Sequence, residues 1–223
     1  MKGRLEKEMP EDSLRAFVEQ EILPRYDAFD QAHQRDHATH VINSSLMLAR
    51  QTGADINMAY AVAAYHDLGL EDERETHHLG SGRILASDER LRHWFSLAEI
   101  ETMREAVEDH RASASRPPRN LYGRIVAEAD RDVEPESVCR RTVQFGLAHY
   151  PELDVEGHWL RFRQHLVEKY GPAGYLKLLF NPSPNTERLE RLRSLIADGE
   201  KLRATFDRLF ESEKREHHSI NNK

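Results

Sequence analysis

The sequence predicts an all-α fold, a single-domain helical bundle carrying a C-terminal helical extension. Two observations lead there. Sustained period-two alternation closed by Asn-Gly or Asp-Gly turns is absent, and apolar residues recur at spacings of three and four, the mark of helices with one buried face. Gly and Pro then punctuate the chain at helix-length intervals.

The first helix starts near Asp12, a good N-cap after Pro10, carries Leu14, Phe17, Val18 and Ile22, and is disturbed at Pro24. A second covers 36–51, with Val41 and Leu48 beside the small Ser44 and Ser45, and stops at Gly53. A third runs over 55–68 and stops at Gly69, read as a Gly C-cap. Helices follow near 77–87, 97–111, 121–133, 135–148 and 155–169, with a loop over 113–118 between two helical blocks. After the breaker NPSPN, one charged helix over 186–214 carries Leu189, Leu192, Leu195, Ile196, Leu202, Phe206 and Phe210 as an apolar stripe. That stripe packs on the body or on a partner, which leaves a homo-oligomer open. The expected organisation is an N-terminal helix (1–19), a core (20–150), C-terminal helices packing on it (151–215) and a frayed tail (216–223).

Composition narrows the function. At 223 residues, 39% hydrophobic and 32% charged, the chain can bury a core and is too charged for a membrane protein. The longest apolar run, 58–65, is far below the roughly 20 residues that span a bilayer, and MKGRLEKEMPEDS holds no signal core, so a cytoplasmic protein with no membrane partner is expected. A net charge of −7 gives no footprint for polymeric nucleic acid, although a small anionic substrate can still be held by locally positive groups. The single cysteine, Cys139, rules out internal disulfides and thiolate clusters, so a metal site must use His and carboxylates. Histidine is where the composition stands out: of 13, His33, His37, His40, His66, His77 and His78 fall between positions 33 and 78.

On the third helix His66 shares its face with Ala59, Val62 and Ala63, so its ring points inward. A lone histidine on such a face is ordinarily a hydrogen-bonded core residue. Asp67 beside it changes that, because a carboxylate carried to the inner end of a helix is costly to bury without a compensating cation. Asp130 follows Val126 and Ala127 by one turn and Gly123 by two, a small-residue face suited to close helix approach; a buried ion pair with Arg124 or Arg131 is the plainer alternative. His37 lies four after His33 and four before Val41, in line with an apolar position. Three helices thus bring polar donors inward.

With His37 in AHQRDHATHVI, the His66-Asp67 doublet in AAYHDLGL and Asp130 in AEADRD, the chain resembles the HD-domain superfamily of metal-dependent phosphohydrolases over about residues 20 to 150. The resemblance implies that His37, His66, Asp67 and Asp130 ligate one divalent ion, Mn, Fe, Co, Ni, Zn or Mg, and that His77 or His78, with His110, could add a second. His37 is preferred to His40 because it satisfies the family's H-x-x-x-V context. The implied chemistry is phosphoester hydrolysis of a small phosphorylated metabolite by a metal-activated water, with Asp67 and His110 as catalytic residues and nucleotides as the substrate class. His33, Arg35, Arg83, Arg111 and Arg131 are candidates for holding its phosphate.

Departures from the family's branches narrow the substrate. HRASASRPPRN replaces the Gly-Tyr-Pro element of the cyclic-dinucleotide phosphodiesterases, which disfavours that activity. Glu71 and Asp72 come one residue later than the Glu-Asp pair of the alarmone hydrolases and are weaker acid/base candidates. Two alternatives stand beside the hydrolase: a diiron oxygenase of the same fold, since a few relatives use a six-ligand His/Asp site, and a catalytically inactive, metal-binding regulatory module.

Overall fold

The computed structural model describes residues 9–29, 35–71, 75–111 and 116–221, with side chains to 215. Among them are ten α-helices and no strand. The helices are α1 (Asp12–Phe17), α2 (Arg35–Thr52), α3 (Ile56–Tyr65), α4 (His77–Ser87), α5 (Leu97–Glu108), α6 (Leu121–Ala129), α7 (Pro135–His149), α8 (Val155–Tyr170), α9 (Thr186–Ala197) and α10 (Gly199–Asn221). None is long and apolar enough to cross a membrane. The chain divides into two compact units, Met1–Arg131 and Asp132–Lys223, where the sequence reading drew its core over 20–150.

In the first unit α3 is the innermost helix. Every residue from Met58 to Tyr65 is buried, and α2, α5 and α6 pack around it. Asp55 opens α3 by accepting a hydrogen bond from Met58 N at 2.9 Å. Gly53 closes α2 at φ 71°, the left-handed conformation that favours glycine.

Two expectations for this unit change. First, the helix begun at Asp12 is disturbed earlier than Pro24, from Val18 on, by changes of pitch. It passes into a π-helical turn (Val18–Ile22) and then a 3₁₀ turn (Leu23–Ala28) with Pro24 in its opening residues, where the missing N–H costs little. Second, α3 ends at Tyr65 rather than near Leu68, and Gly69 is no left-handed cap. It sits in a 3₁₀ turn (Leu68–Glu71), where a Cβ would lie 2.0 Å from the His77 carbonyl oxygen and 2.5 Å from the Ser81 nitrogen. Gly80 answers from α4, since a Cβ there would meet the Gly69 Cα at 3.1 Å. The glycines are therefore matters of space: they let the turn after α3 lie against α4, where Gly69 N donates to Ser81 Oγ at 2.8 Å.

The second unit builds its own core from Val138, Cys139 and Val143 on α7, Phe162, Leu166 and Tyr170 on α8, Leu189 and Leu192 on α9, and Leu202, Phe206, Leu209 and Phe210 on α10. The apolar stripe predicted near the C-terminus is buried here, with Leu195 and Ile196 only partly covered. It is carried by two helices, not one. Asp198 leaves helical geometry and starts α10 by accepting from Lys201 N at 3.1 Å, so an Asp-Gly pair inside a periodic run is a capped break. The helix α10 continues to Asn221 through the segment expected to fray.

Candidate metal centre

Each donor of the first unit is delivered by the end of a helix. His37 lies in the first turn of α2, one turn before the buried Val41. His66 and Asp67 follow directly on α3, and Asp130 follows directly on α6, which Asn120 opens by accepting from Gly123 N at 3.0 Å. His77 is the first residue of α4, and His110 lies two residues beyond α5. Helix ends suit this purpose, because side chains there leave the packed face while the backbone stays fixed.

These six side chains meet in two groups that share Asp67. In the first, His37 Nε2 stands 3.2 Å from His66 Nε2, 3.5 Å from Asp67 Oδ2 and 3.3 Å from Asp130 Oδ1. His66 Nε2 completes it at 3.2 Å from Asp67 Oδ2 and 3.8 Å from Asp130 Oδ1. In the second, Asp67 Oδ1 lies 3.3 Å from His77 Nε2 and 3.4 Å from His110 Nε2, and the two ring nitrogens are 3.2 Å apart. Donors bound to one ion at about 2.1 Å stand roughly 3.0 Å apart at right angles and roughly 3.4 Å apart in a tetrahedron. His37, His66 and Asp67 lie close enough together to hold a metal ion, as do Asp67, His77 and His110.

Hydrogen bonding also fits a cation. A carbonyl oxygen only accepts, so the 2.8 Å contact of His66 Nδ1 with Ala63 O and the 2.7 Å contact of His110 Nδ1 with Val107 O put the proton on Nδ1 of each ring. In the neutral imidazole, Nε2 then presents a lone pair to the centre, the orientation that a backbone carbonyl imposes on metal-binding histidines. Lone pairs and carboxylate oxygens gathered in a buried space need positive charge between them. Without a metal, protons supply it. Burial disfavours a charged His37, yet Asp130 and Asp67 raise it to about 10. His110 is likewise raised by Asp67 and Asp130 against its burial. Burial opposes ionisation of Asp67 too, but His66, His110 and His37 hold it well below the usual carboxylate range, and Asp130 is lowered chiefly by His37.

Among the described residues the site is closed at the rear and most open at the His37–Asp130 edge. His66, Asp67 and His110 are buried, whereas the His37 and Asp130 side chains are 22% and 26% exposed. A ligand would therefore approach on the His37–Asp130 side.

Other candidates fall elsewhere. His78 belongs to neither group: its Nδ1 is buried with no hydrogen-bond partner among the described residues, and burial, with Arg111, His110 and His77 nearby, pushes it down to about 4. His40 is exposed on α2. Arg35 is bound by Asp27 through two hydrogen bonds, and Arg131 is buried against Glu128 at 2.9 Å. Arg131 thus makes the buried ion pair weighed as an alternative for Asp130, but makes it with Glu128. Arg111 donates to the Glu75 carbonyl at 2.7 Å, and Arg83 is exposed on α4. Glu71 is held by Arg25 in a bidentate pair at 2.7 and 2.6 Å. His33 and Asp72 lie outside the described residues.

Sequence reasoning missed the groups that position the donors. Tyr26, fully buried, donates to Ala64 O at 2.9 Å and receives the Asp67 N–H at 3.4 Å, which ties down the backbone on both sides of His66. Its aromatic character two residues after Pro24 was the only signal. Asp109, beside His110, is gripped by Arg116 at 2.8 Å and by Arg119 at 2.9 Å. That network fixes the end of α5.

Residues 35–133 match the family model described as HD domain, a span that contains all six converging side chains. No curated protein and no solved structure matches the chain.

Proposed function

The chain carries an HD domain, the module of a superfamily of metal-dependent hydrolases, and from that premise we propose that it is a binuclear metal-dependent phosphohydrolase acting on a small phosphorylated metabolite, with nucleotides as the substrate class. The observation that carries this reading is the sharing of Asp67, whose two oxygens face two separate sets of imidazole donors. His37, His66, Asp67 and Asp130 would hold one ion and Asp67, His77 and His110 the other. Four imidazoles and two carboxylates favour Mn, Fe, Co, Ni or Zn over Mg, which prefers an all-oxygen shell.

Bound there, the ions would supply positive charge toward a phosphoryl oxygen and acidity to a water. The chain's own residues supply position. His66 and His110, locked by their backbone carbonyls, form the immobile rear wall and exclude water from it. His110 acts as a donor to the second group and not as an acid reaching substrate, because both its nitrogens are committed. Asp67 fixes the separation of the two groups and is the catalytic carboxylate of the pair. Asp130 and His37, at the open edge, border the place where a phosphoester would enter. Chelation should abolish phosphate release, Mn²⁺ should restore it, and Asp67→Ala should lack it; full activity in chelator-treated protein would overturn the reading.

The six-residue donor set also supports a second reading, the diiron oxygenase, because that is the ligand set the resemblance attaches to it. Turnover with Mn²⁺ under strict anaerobiosis excludes it, whereas O₂ consumption by the iron-loaded chain without phosphate release favours it.

A further inference from the structure

The second unit holds a cavity of about 310 Å³ between α7 and α8. Its wall is unusual in charge: Arg141, Arg161, Lys169 and His165 line it with Phe145 and Tyr170, and no carboxylate belongs to the lining. A chain of net charge −7 has acidic groups to spare, yet none lines this cavity, so an anion entering it would meet cationic side chains.

Arg161 is the most telling of these groups. Its guanidinium donates one hydrogen bond, from Nη2 to the Thr142 carbonyl, and pairs with no carboxylate among the described residues. Its Nε is buried with no hydrogen-bond partner among the described residues, and burial lowers its pKa. A half-buried guanidinium answered by one carbonyl is costly in the free protein. The fold nevertheless makes room for it. A Cβ at Gly146 would lie 2.6 Å from Nη2 and 3.0 Å from Nε, so only glycine lets the group lie across α7, near the rings of Phe145 and Tyr150 at 5.9 and 5.6 Å. Arg141 is paired at its outer side with Asp132 at 3.1 Å and remains part-exposed.

We infer that this cavity binds a small phosphorylated molecule bearing a planar ring, its phosphate on Arg141, Arg161 and Lys169 and its ring against Phe145 and Tyr170. Guanidinium groups suit the bidentate geometry of a phosphate, and the aromatic faces suit a flat heterocycle. The volume is at the lower end for ligand pockets and admits one molecule of roughly mononucleotide size. All lining residues belong to the second unit, so the site shares no residue with the His/Asp cluster and stands whether or not the hydrolase reading does.

The test is calorimetric titration of the full chain with AMP, adenosine and inorganic phosphate, in wild type, Arg161→Gln, Arg141→Gln and Asp67→Asn. AMP should bind at least tenfold more tightly than either fragment. Its affinity should fall at least tenfold in Arg161→Gln and several-fold in Arg141→Gln, an exposed position where folding is not at stake, and persist in Asp67→Asn. Arg161→Lys should retain part of it. Metal content and phosphate release of the arginine variants should match wild type. Loss of AMP binding in Asp67→Asn with retention in both arginine variants would place the ligand at the metal centre and overturn the inference, as would equal affinity for adenosine and AMP, or no AMP binding at millimolar concentration.

Discussion

Replacing Gly69 by alanine should remove one metal ion and leave the other. The new Cβ would start 2.0 Å from the His77 carbonyl oxygen, 2.5 Å from the Ser81 nitrogen and 2.9 Å from the Gly80 carbonyl carbon, all backbone atoms of α4 or its first turn. A non-bonded carbon needs upwards of about 3.2 Å from such atoms, so the start of α4 has to retreat by about 1 Å. His77 is the first residue of that helix, and metal–donor distances tolerate about 0.2 Å. The Asp67–His77–His110 group should therefore lose a donor, while the four-residue group, carried by α2, α3 and α6, keeps its geometry. Overpacking of this kind costs about 1–3 kcal/mol of stability, and a 1 Å displacement at a catalytic group costs about 100-fold in rate. Metal content of the folded, Mn-loaded and dialysed protein gives the direct readout: two ions per chain in wild type, one in Gly69→Ala. Gly53→Ala is the matching control. It meets nothing within 4 Å but forces a left-handed φ, so it should cost about 1–2 kcal/mol in thermal unfolding and keep both ions. Two ions with unchanged affinity in Gly69→Ala would refute the role given to this contact.

Four further outcomes follow from the same geometry. Tyr26→Phe removes the hydroxyl between Ala64 O and Asp67 N and should cost about 1–3 kcal/mol by chemical denaturation, with kcat lowered more than KM is raised. His77→Ala should bind a single ion while His78→Ala binds two, read by the same metal analysis; the reverse pattern would mean that α4 is rotated from the orientation described. Metal affinity should climb from pH 6 to 9, since His37 and His110 are held protonated above their ordinary range and must release protons to bind, and titration at pH 7 in buffers of different ionisation enthalpy should show net proton release. For the metal-free chain the sign runs the other way. The raised His37 contributes stability that is full below about 6.5 and is lost as pH rises through about 10, so the apo protein should weaken on the alkaline side in thermal melts.

The inward placement of His66, Asp67 and Asp130 was legible in the sequence because it depends on local pattern. His66 points inward by helical phase, Asp67 is its neighbour, and Asp130 ends a face of small residues that α5 approaches closely at Gly123. The choice between His77 and His78 was not legible. It turns on where α4 begins and how it is rotated, and the contact of Gly69 with Gly80 and Ser81 sets both across eleven or more residues of chain. The partner of Arg35 was not legible for a similar reason: Asp27 comes within reach only once the chain has folded, whereas Glu128 lies three residues before Arg131. Tyr26 was hidden by Pro24, which reads as a disturbance of the helix although a 3₁₀ turn accommodates it in its opening residues. At the C-terminus the apolar period runs through Asp198 without a visible gap, so one helix was expected where a capped break makes two.

Anomalous diffraction at the manganese edge from crystals of the Mn-loaded chain tests the shared role of Asp67 most directly. Two peaks should stand on either side of its carboxylate, one among His37, His66 and Asp130 and the other against His77 and His110. A single peak, or none bonded to Asp67, would contradict it.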